Sequence, residues 1–267
     1  MNLKKYITLT RAGMMESLQF SIGTATIMAG NIIYLIIVYF LWKAIYASAG
    51  TDVVNGMTFS DTLIYLVLAT AIFSFMEMYI VWEMGRNIQS GKIVLDLLKP
   101  IRFRAFTFWS LSGSVVMNFL MTFLPTFLII YFMTKGAIHL GLNLFYFLIA
   151  VTIAVVINFC IDFMIGTICL YTESIWGINI MKEVIVLLLS GATIPLAFFP
   201  EPLKTIVYYL PFQSIYNAPL TILINHEMSF QETAIIFGTQ LFWCAAMLIL
   251  SSFFWNISIR KITVNGG

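Results

Sequence analysis

The chain has 267 residues, 61% of them hydrophobic and only 10% charged, with a formal net charge of +2. Soluble domains carry about a quarter charged residues, so water is not this chain's main solvent, and so small a net charge gives no support for a nucleic-acid partner. The three cysteines, Cys160, Cys169 and Cys244, sit inside apolar runs and both histidines are isolated, a pattern that fits small hydrophobes in a helix bundle and not a disulfide framework or a zinc site.

Residues 1–26 predict an interfacial helix. Leu3, Tyr6, Ile7, Met14, Leu18 and Ile22 share one face, opposite Lys5, Ala12, Glu16 and Gln19, while Lys4 and Arg11 sit at the edge of the stripe. A plain lead-in to the first span is the alternative. Polar residues through Gln19 leave no compact secretory signal, so the first helix is expected in the mature protein.

Six apolar runs follow, at about 27–46, 61–82, 107–134, 144–170, 180–199 and 235–258. Each is about the length a helix needs to cross roughly 30 Å of hydrocarbon, and each is continuous in polarity, unlike a barrel strand. The expected fold is an all-α integral membrane protein, a single transmembrane domain over 1–267 with six transmembrane helices. Pro125, in the third run, removes a backbone donor and predicts a kink about a turn upstream. Orientation follows from the basic residues. Lys4, Lys5, Arg11, Arg86, Lys92, Lys99, Arg102, Arg104, Arg260 and Lys261 fall on one side, and only Lys43, Lys135 and Lys204 on the other. Both termini and the 83–106 loop are therefore expected in the cytoplasm.

Within that loop Ser90 offers a helix cap, Ile93, Val94, Leu97 and Leu98 offer one apolar face, and Pro100 stops the helix. A short helix parallel to the membrane results, suited either to a groove on a cytoplasmic motor protein or to resting on the bilayer. The segment from Gly85 to Lys92 approaches a Walker A loop and fails. Ser90 stands at the second glycine position, Gly91 and Lys92 come one residue late, and Ile93 replaces the Ser/Thr that would reach magnesium. No cofactor is expected in this chain, and any ATP energy must come from a partner.

Four of the seven prolines crowd between 195 and 211, in an apolar stretch that runs from Ser190 and Gly191 through Pro195, Leu196, Phe199 and Pro200 to Pro211 and Phe212. Such spacing predicts broken or re-entrant helices between spans five and six, either a lid over an outward exit or an external loop. Glu77 and Asp162 are ionisable residues within spans and hence default site candidates. Proton or substrate handling competes with helix–helix hydrogen bonding and with placement near the interface. Lys182 and Glu183 are expected at the cytoplasmic surface.

The chain resembles the permease subunits of bacterial type-2 ABC exporters, in the branch with two related permeases and a separate ATPase. The resemblance rests on length, the six-span plan, the loop Ile88 to Pro100, and the outer series Ser190-Gly191, Ile194-Pro195-Leu196, Phe199-Pro200 and Leu210-Pro211-Phe212. It implies that Ile88, Gly91, Lys92, Val94, Asp96, Leu97, Leu98, Lys99 and Pro100 form a coupling helix on an ABC ATPase, two copies per complex, which holds ATP and magnesium. It also implies that Gly191, Pro195, Leu196, Phe199, Pro200, Pro211 and Phe212 form the outer gate of a pathway shared with a second permease, identical or related, in the bacterial cytoplasmic membrane. One departure is the short loop from Tyr171 to Gly177, with an acidic Glu173 and no basic residue, where a second ATPase contact has little to rest on. A proton-coupled secondary transporter using Glu77 or Asp162, and a non-transporting assembly factor, remain the alternatives.

Overall fold

The computed structural model describes residues 3–19, 21–134, 141–172, 175–225 and 228–261. Lys135, His139, Glu173 and His226, and the side chains of Ile22 and Lys261, lie outside the described residues. Among those described, five stretches are long and apolar enough to cross a membrane: Ala29–Ala49, Phe59–Gln89, Phe103–Met133, Leu142–Ile168 and Phe230–Ser258. The only sheet among them is a two-stranded hairpin, so the protein is an all-α integral membrane protein.

The chain begins with α1 (Leu3–Gln19). No residue of α1 is buried, as suits a helix that lies on a surface. It ends seven residues before the expected boundary at 26, and α2 (Ser21–Ala49) starts within the segment read as interfacial. The hairpin β1 (Val53–Val54) and β2 (Met57–Thr58) then leads into α3 (Phe59–Met76). Thr58 and Asp61 form a reciprocal capping box there, which satisfies backbone donors that would otherwise be orphaned. α3 opens the most enclosed of these five stretches, with Leu68, Ala69, Ile72 and Met76 fully buried.

The second span is not continuous. Residues 77–79 leave helical geometry before α4 (Ile80–Gln89), and Tyr79 adopts a left-handed conformation with φ +52°. For a residue with a side chain that conformation costs roughly 1–2 kcal/mol, so it persists only where the surroundings impose it. Asn158 Nδ2 does part of this, donating to the Met76 carbonyl at 3.3 Å and so capping the end of α3. Met78, within the break, is 1% exposed.

After α5 (Ile93–Leu97), the third span runs as α6 (Phe103–Asn118), a π-turn at Phe119–Phe123, and α7 (Leu124–Met133). The π-turn lies just upstream of Pro125. The wider i→i+5 turn accommodates the missing N–H and the ring, which is the physical form the expected kink takes. Phe75 meets Phe119 and Phe123 edge-on, at centroid distances of 5.3 and 5.5 Å, locking α3 to this turn.

α8 (Leu142–Ile168) is the second central helix, and it packs against α4 and against the later α11 and α12. The expected fifth span, 180–199, differs from the structure. α9 covers Ile175–Leu189, 15 residues and so about 22 Å of helix. It ends because Gly191 takes φ +81° and Pro195 follows. The remainder is a broken segment: a 3-10 turn at Leu196–Phe198, α10 (Glu201–Tyr208), a second 3-10 turn at Phe212–Ser214, and α11 (Asn217–Ile224). α12 (Phe230–Ser258) closes the bundle, opened by a capping box between Ser229 and Glu232. Exposed apolar side chains such as Ile33, Ile37 and Phe40 on α2 and Phe242, Ile249 and Phe253 on α12 form the lipid-facing belt.

Candidate functional site: an intramembrane polar cluster and a vestibule

The loop after α4 carries the first group of site residues. Ile88 is partly buried near the end of α4, and Gly91 takes φ +72°, which lets the chain reverse after the helix. Ser90 caps the end of α4 and not the start of α5, its hydroxyl donating to the Arg86 carbonyl at 2.7 Å. That corrects the cap expected from sequence, and Lys92 stands at the start of α5 instead. The face presented by α5 also differs. Ile93 is buried, Val94 and Leu97 are half-buried, and the exposed apolar pair is Leu95 with Leu98, at 64% and 76%. A five-residue helix cannot bury all its leucines, and the turn at Gly91 rolls Ile93 inward. Asp96 is buried and holds the loop together, accepting from Lys99 Nζ at 2.7 Å and Asn87 Nδ2 at 3.4 Å. Lys99 also lies 3.7 Å from the centroid of the Phe106 ring, and Pro100 is exposed.

The outer series is packed more deeply than a surface loop. Gly191, Pro195, Leu196 and Pro211 are buried, Phe199 and Phe212 half-buried, and Pro200 exposed. A side chain at Gly191 would meet the Tyr65 hydroxyl at 2.9 Å. Phe198 sits edge-on to Trp42 of α2 at 4.6 Å. Gln240 of α12 is fully buried and donates to the carbonyls of Ala150 and Ser214, tying the broken segment to α8 and α12.

Glu77 and Asp162 come together. Both line a small pocket of about 30 Å³ beside the helix break, with Asn158, Asn179, Lys182 and Glu183, room for about one water. Asp162 is 3% exposed and pairs with Lys182 Nζ at 3.0 Å. Asn158 Nδ2 reaches Asp162 at 3.4 Å, and Asn179 donates to the Glu183 carboxylate. Lys182 and Glu183 are therefore members of this internal cluster and not surface residues as the sequence suggested. The reason is the displacement of α9 towards its N-terminus, which moves both residues from the start of the helix to its middle. Glu77 lies well inside the Phe59–Gln89 span.

Glu77 also lines a second, open cavity of about 1150 Å³, reached between α1, α4 and α6. Ser110, Ser114, Asn118 and Thr122 recur every four residues along its wall, and Ser90 and Lys92 of the loop stand at its mouth. Its volume slightly exceeds that of an ordinary small-molecule pocket. Sequence reasoning singled out none of the α6 residues. The four-residue spacing of small polar side chains in an apolar span was the available signal.

Two helix contacts frame this vestibule. α1 crosses α6 at Gly13 and Gly113, where an added Cβ on either would collide with the other helix's backbone, and Thr10 Oγ1 donates to the Trp109 carbonyl at 3.0 Å. Arg104, counted above as a flanking charge, turns inward. It donates to the Leu248 carbonyl at 2.8 Å, to Ser251 at 3.0 Å and to Ser252, stapling α6 to α12.

No curated protein matches the chain at a significant level. A large polar-lined cavity among long apolar helices, with Ser90 and Lys92 of the basic loop on its lining, is an arrangement suited to a membrane permease. Consistently, residues 32–266 match the family described as ABC-2 family transporter protein, and the chain belongs to that family as a membrane permease of an ABC transporter.

Proposed function

We propose that this permease is the transmembrane subunit of an ATP-driven exporter, moving a hydrophobic or amphipathic substrate outward by alternating access. ATP and magnesium are held by a separate ABC ATPase, two copies per complex, and a second permease, identical or related, completes the pathway. Both termini and the loop at 90–102 face the cytoplasm, as the basic flanks favour. The bacterial cytoplasmic membrane is the expected site.

The observation that carries this reading is α4. It is a short rigid helix with the exposed Leu95 and Leu98 just beyond one end and the helix break at 77–79 at the other. Its flank is close-packed: a side chain at Gly85 would meet Ile175, and one at Gly166 of α8 would meet Met84. A push on the loop is therefore passed along α4 to the break, whose Glu77, Met78 and Tyr79 line the vestibule. The double substitution Leu95→Ala/Leu98→Ala removes the exposed pair without disturbing buried Ile93. It should leave membrane insertion intact and reduce ATPase association and ATP-dependent export at least about tenfold, since a few buried anchors carry most of an interface's energy. Unchanged association and export would rule out this loop as the coupling element.

The cluster around Asp162 and Lys182 favours one second reading, a proton-coupled secondary transporter. It requires transport that persists without any ATPase and falls when the proton gradient is collapsed.

A further inference from the structure

Three hydroxyls on the vestibule wall are oriented alike. Ser114 donates its hydroxyl proton to the Leu111 carbonyl at 2.7 Å, Thr122 to the Asn118 carbonyl at 2.6 Å, and Ser17 to the Gly13 carbonyl at 3.0 Å. Each proton is taken up by the residue's own helix, so the group left facing the cavity is an oxygen with lone pairs, an acceptor. The charges lean the same way. Glu16, Glu77 and Glu83 line the cavity against Arg86 and Lys92, and both of those cations are exposed residues near the mouth. Glu77 lines both the cavity and the small pocket beside it, where the half-buried Lys182 is already paired with Asp162. Among the described residues Glu77 makes no ion pair. Met78 and Leu111 add apolar surface beside these acceptors.

We propose that the vestibule binds the protonated amine head of an amphiphile, with Glu77 as its counter-charge and a hydroxyl oxygen of the wall, that of Ser114 or of Thr122, accepting one of its N–H groups. This names the substrate class of the permease and rests on the function given above. An ammonium supplies the donors and the positive charge that these hydroxyl oxygens and Glu77 lack. Beside them a sulfate or carboxylate head would meet lone pairs and a carboxylate, and unpaired polar groups in a low-dielectric site are costly. The cavity volume admits the head together with part of an alkyl tail.

The test uses the full chain in nanodiscs of zwitterionic lipid, titrated calorimetrically with octylammonium, octyltrimethylammonium and octyl sulfate, with empty nanodiscs subtracted. Saturable binding is expected for octylammonium, weaker binding for the trimethyl compound, which keeps the charge but has no N–H, and none for the sulfate. Glu77→Gln should weaken octylammonium binding about tenfold or more, the loss of one charge-assisted hydrogen bond. Glu77→Asp should retain part of the affinity. Should Glu77→Gln fail to fold, as judged by its melting profile, the pair Ser114→Ala and Thr122→Val carries the same test, with an expected loss of a few-fold in one of the two. Equal saturable binding of the sulfate, no saturable binding of octylammonium by the folded chain, or affinities unchanged in the folded variants would overturn the proposal. No ATPase enters the titration, so its failure leaves the exporter reading standing, and failure of ATPase association leaves the binding result standing.

Discussion

Asp162 and Lys182 show what a single buried pair can demand of a membrane helix bundle. Neither charge is tolerable alone at this depth, and their 3.0 Å pairing, supported by Asn158, offsets the cost of removing both from water. Lys182→Met alone, or Asp162→Asn alone, leaves the partner uncompensated and should destabilise the protein by about 3–5 kcal/mol. The double variant should recover much of that loss. Melting of the detergent-solubilised chain checks this, and strictly additive losses would show that the two residues do not act as a pair. Asp162 was visible in the sequence as a charge within an apolar run. Lys182 was not, because its role depends on where α9 begins, and neither the turn at Gly191 nor the partner helix α8 can be placed from local composition.

Among the elements, the interruption of the second span separates what is local from what is tertiary. Residues 75–80 hold no glycine or proline, and their apolar character predicts unbroken helix. The break instead depends on Asn158 from α8 capping Met76 and on the burial of Met78, contacts that exist only once the bundle forms. By contrast, the kink before Pro125 and the broken segment after Gly191 were legible, since proline and glycine act through their own backbone chemistry. The short helix after α4 was legible in position but not in facing: Ile93, Val94, Leu97 and Leu98 were expected on one apolar face, whereas Leu95 and Leu98 are the exposed pair. α1 and α6 form another pair whose contact has little sequence signature beyond two glycines. Gly113→Leu should displace α1 from α6, because the added side chain has no space against Thr10 and Met14. Limited trypsin digestion at Lys5 and Arg11 reports this directly. Faster cleavage in the variant at unchanged overall folding is the expected result, and an unchanged rate would mean that α1 is held elsewhere.

At the scale of the whole molecule, three regions stand out: an exposed loop pair at Leu95 and Leu98, a polar-lined vestibule that includes Glu77, and a packed broken segment from Gly191 to Ile224. α4 joins the first two, and α8 joins the second to the third through Asn158, Asp162 and the α11 contact. On the function proposed above, such a chain moves substrate only when an ATPase outside it does work on the loop. Purification of the tagged chain in mild detergent from its native membrane, with identification of what accompanies it and reconstitution of the result, tests this most directly. The account predicts a stoichiometric ABC ATPase and transport that requires ATP. Transport by this chain alone, with no ATPase present and driven by a proton gradient, would contradict it.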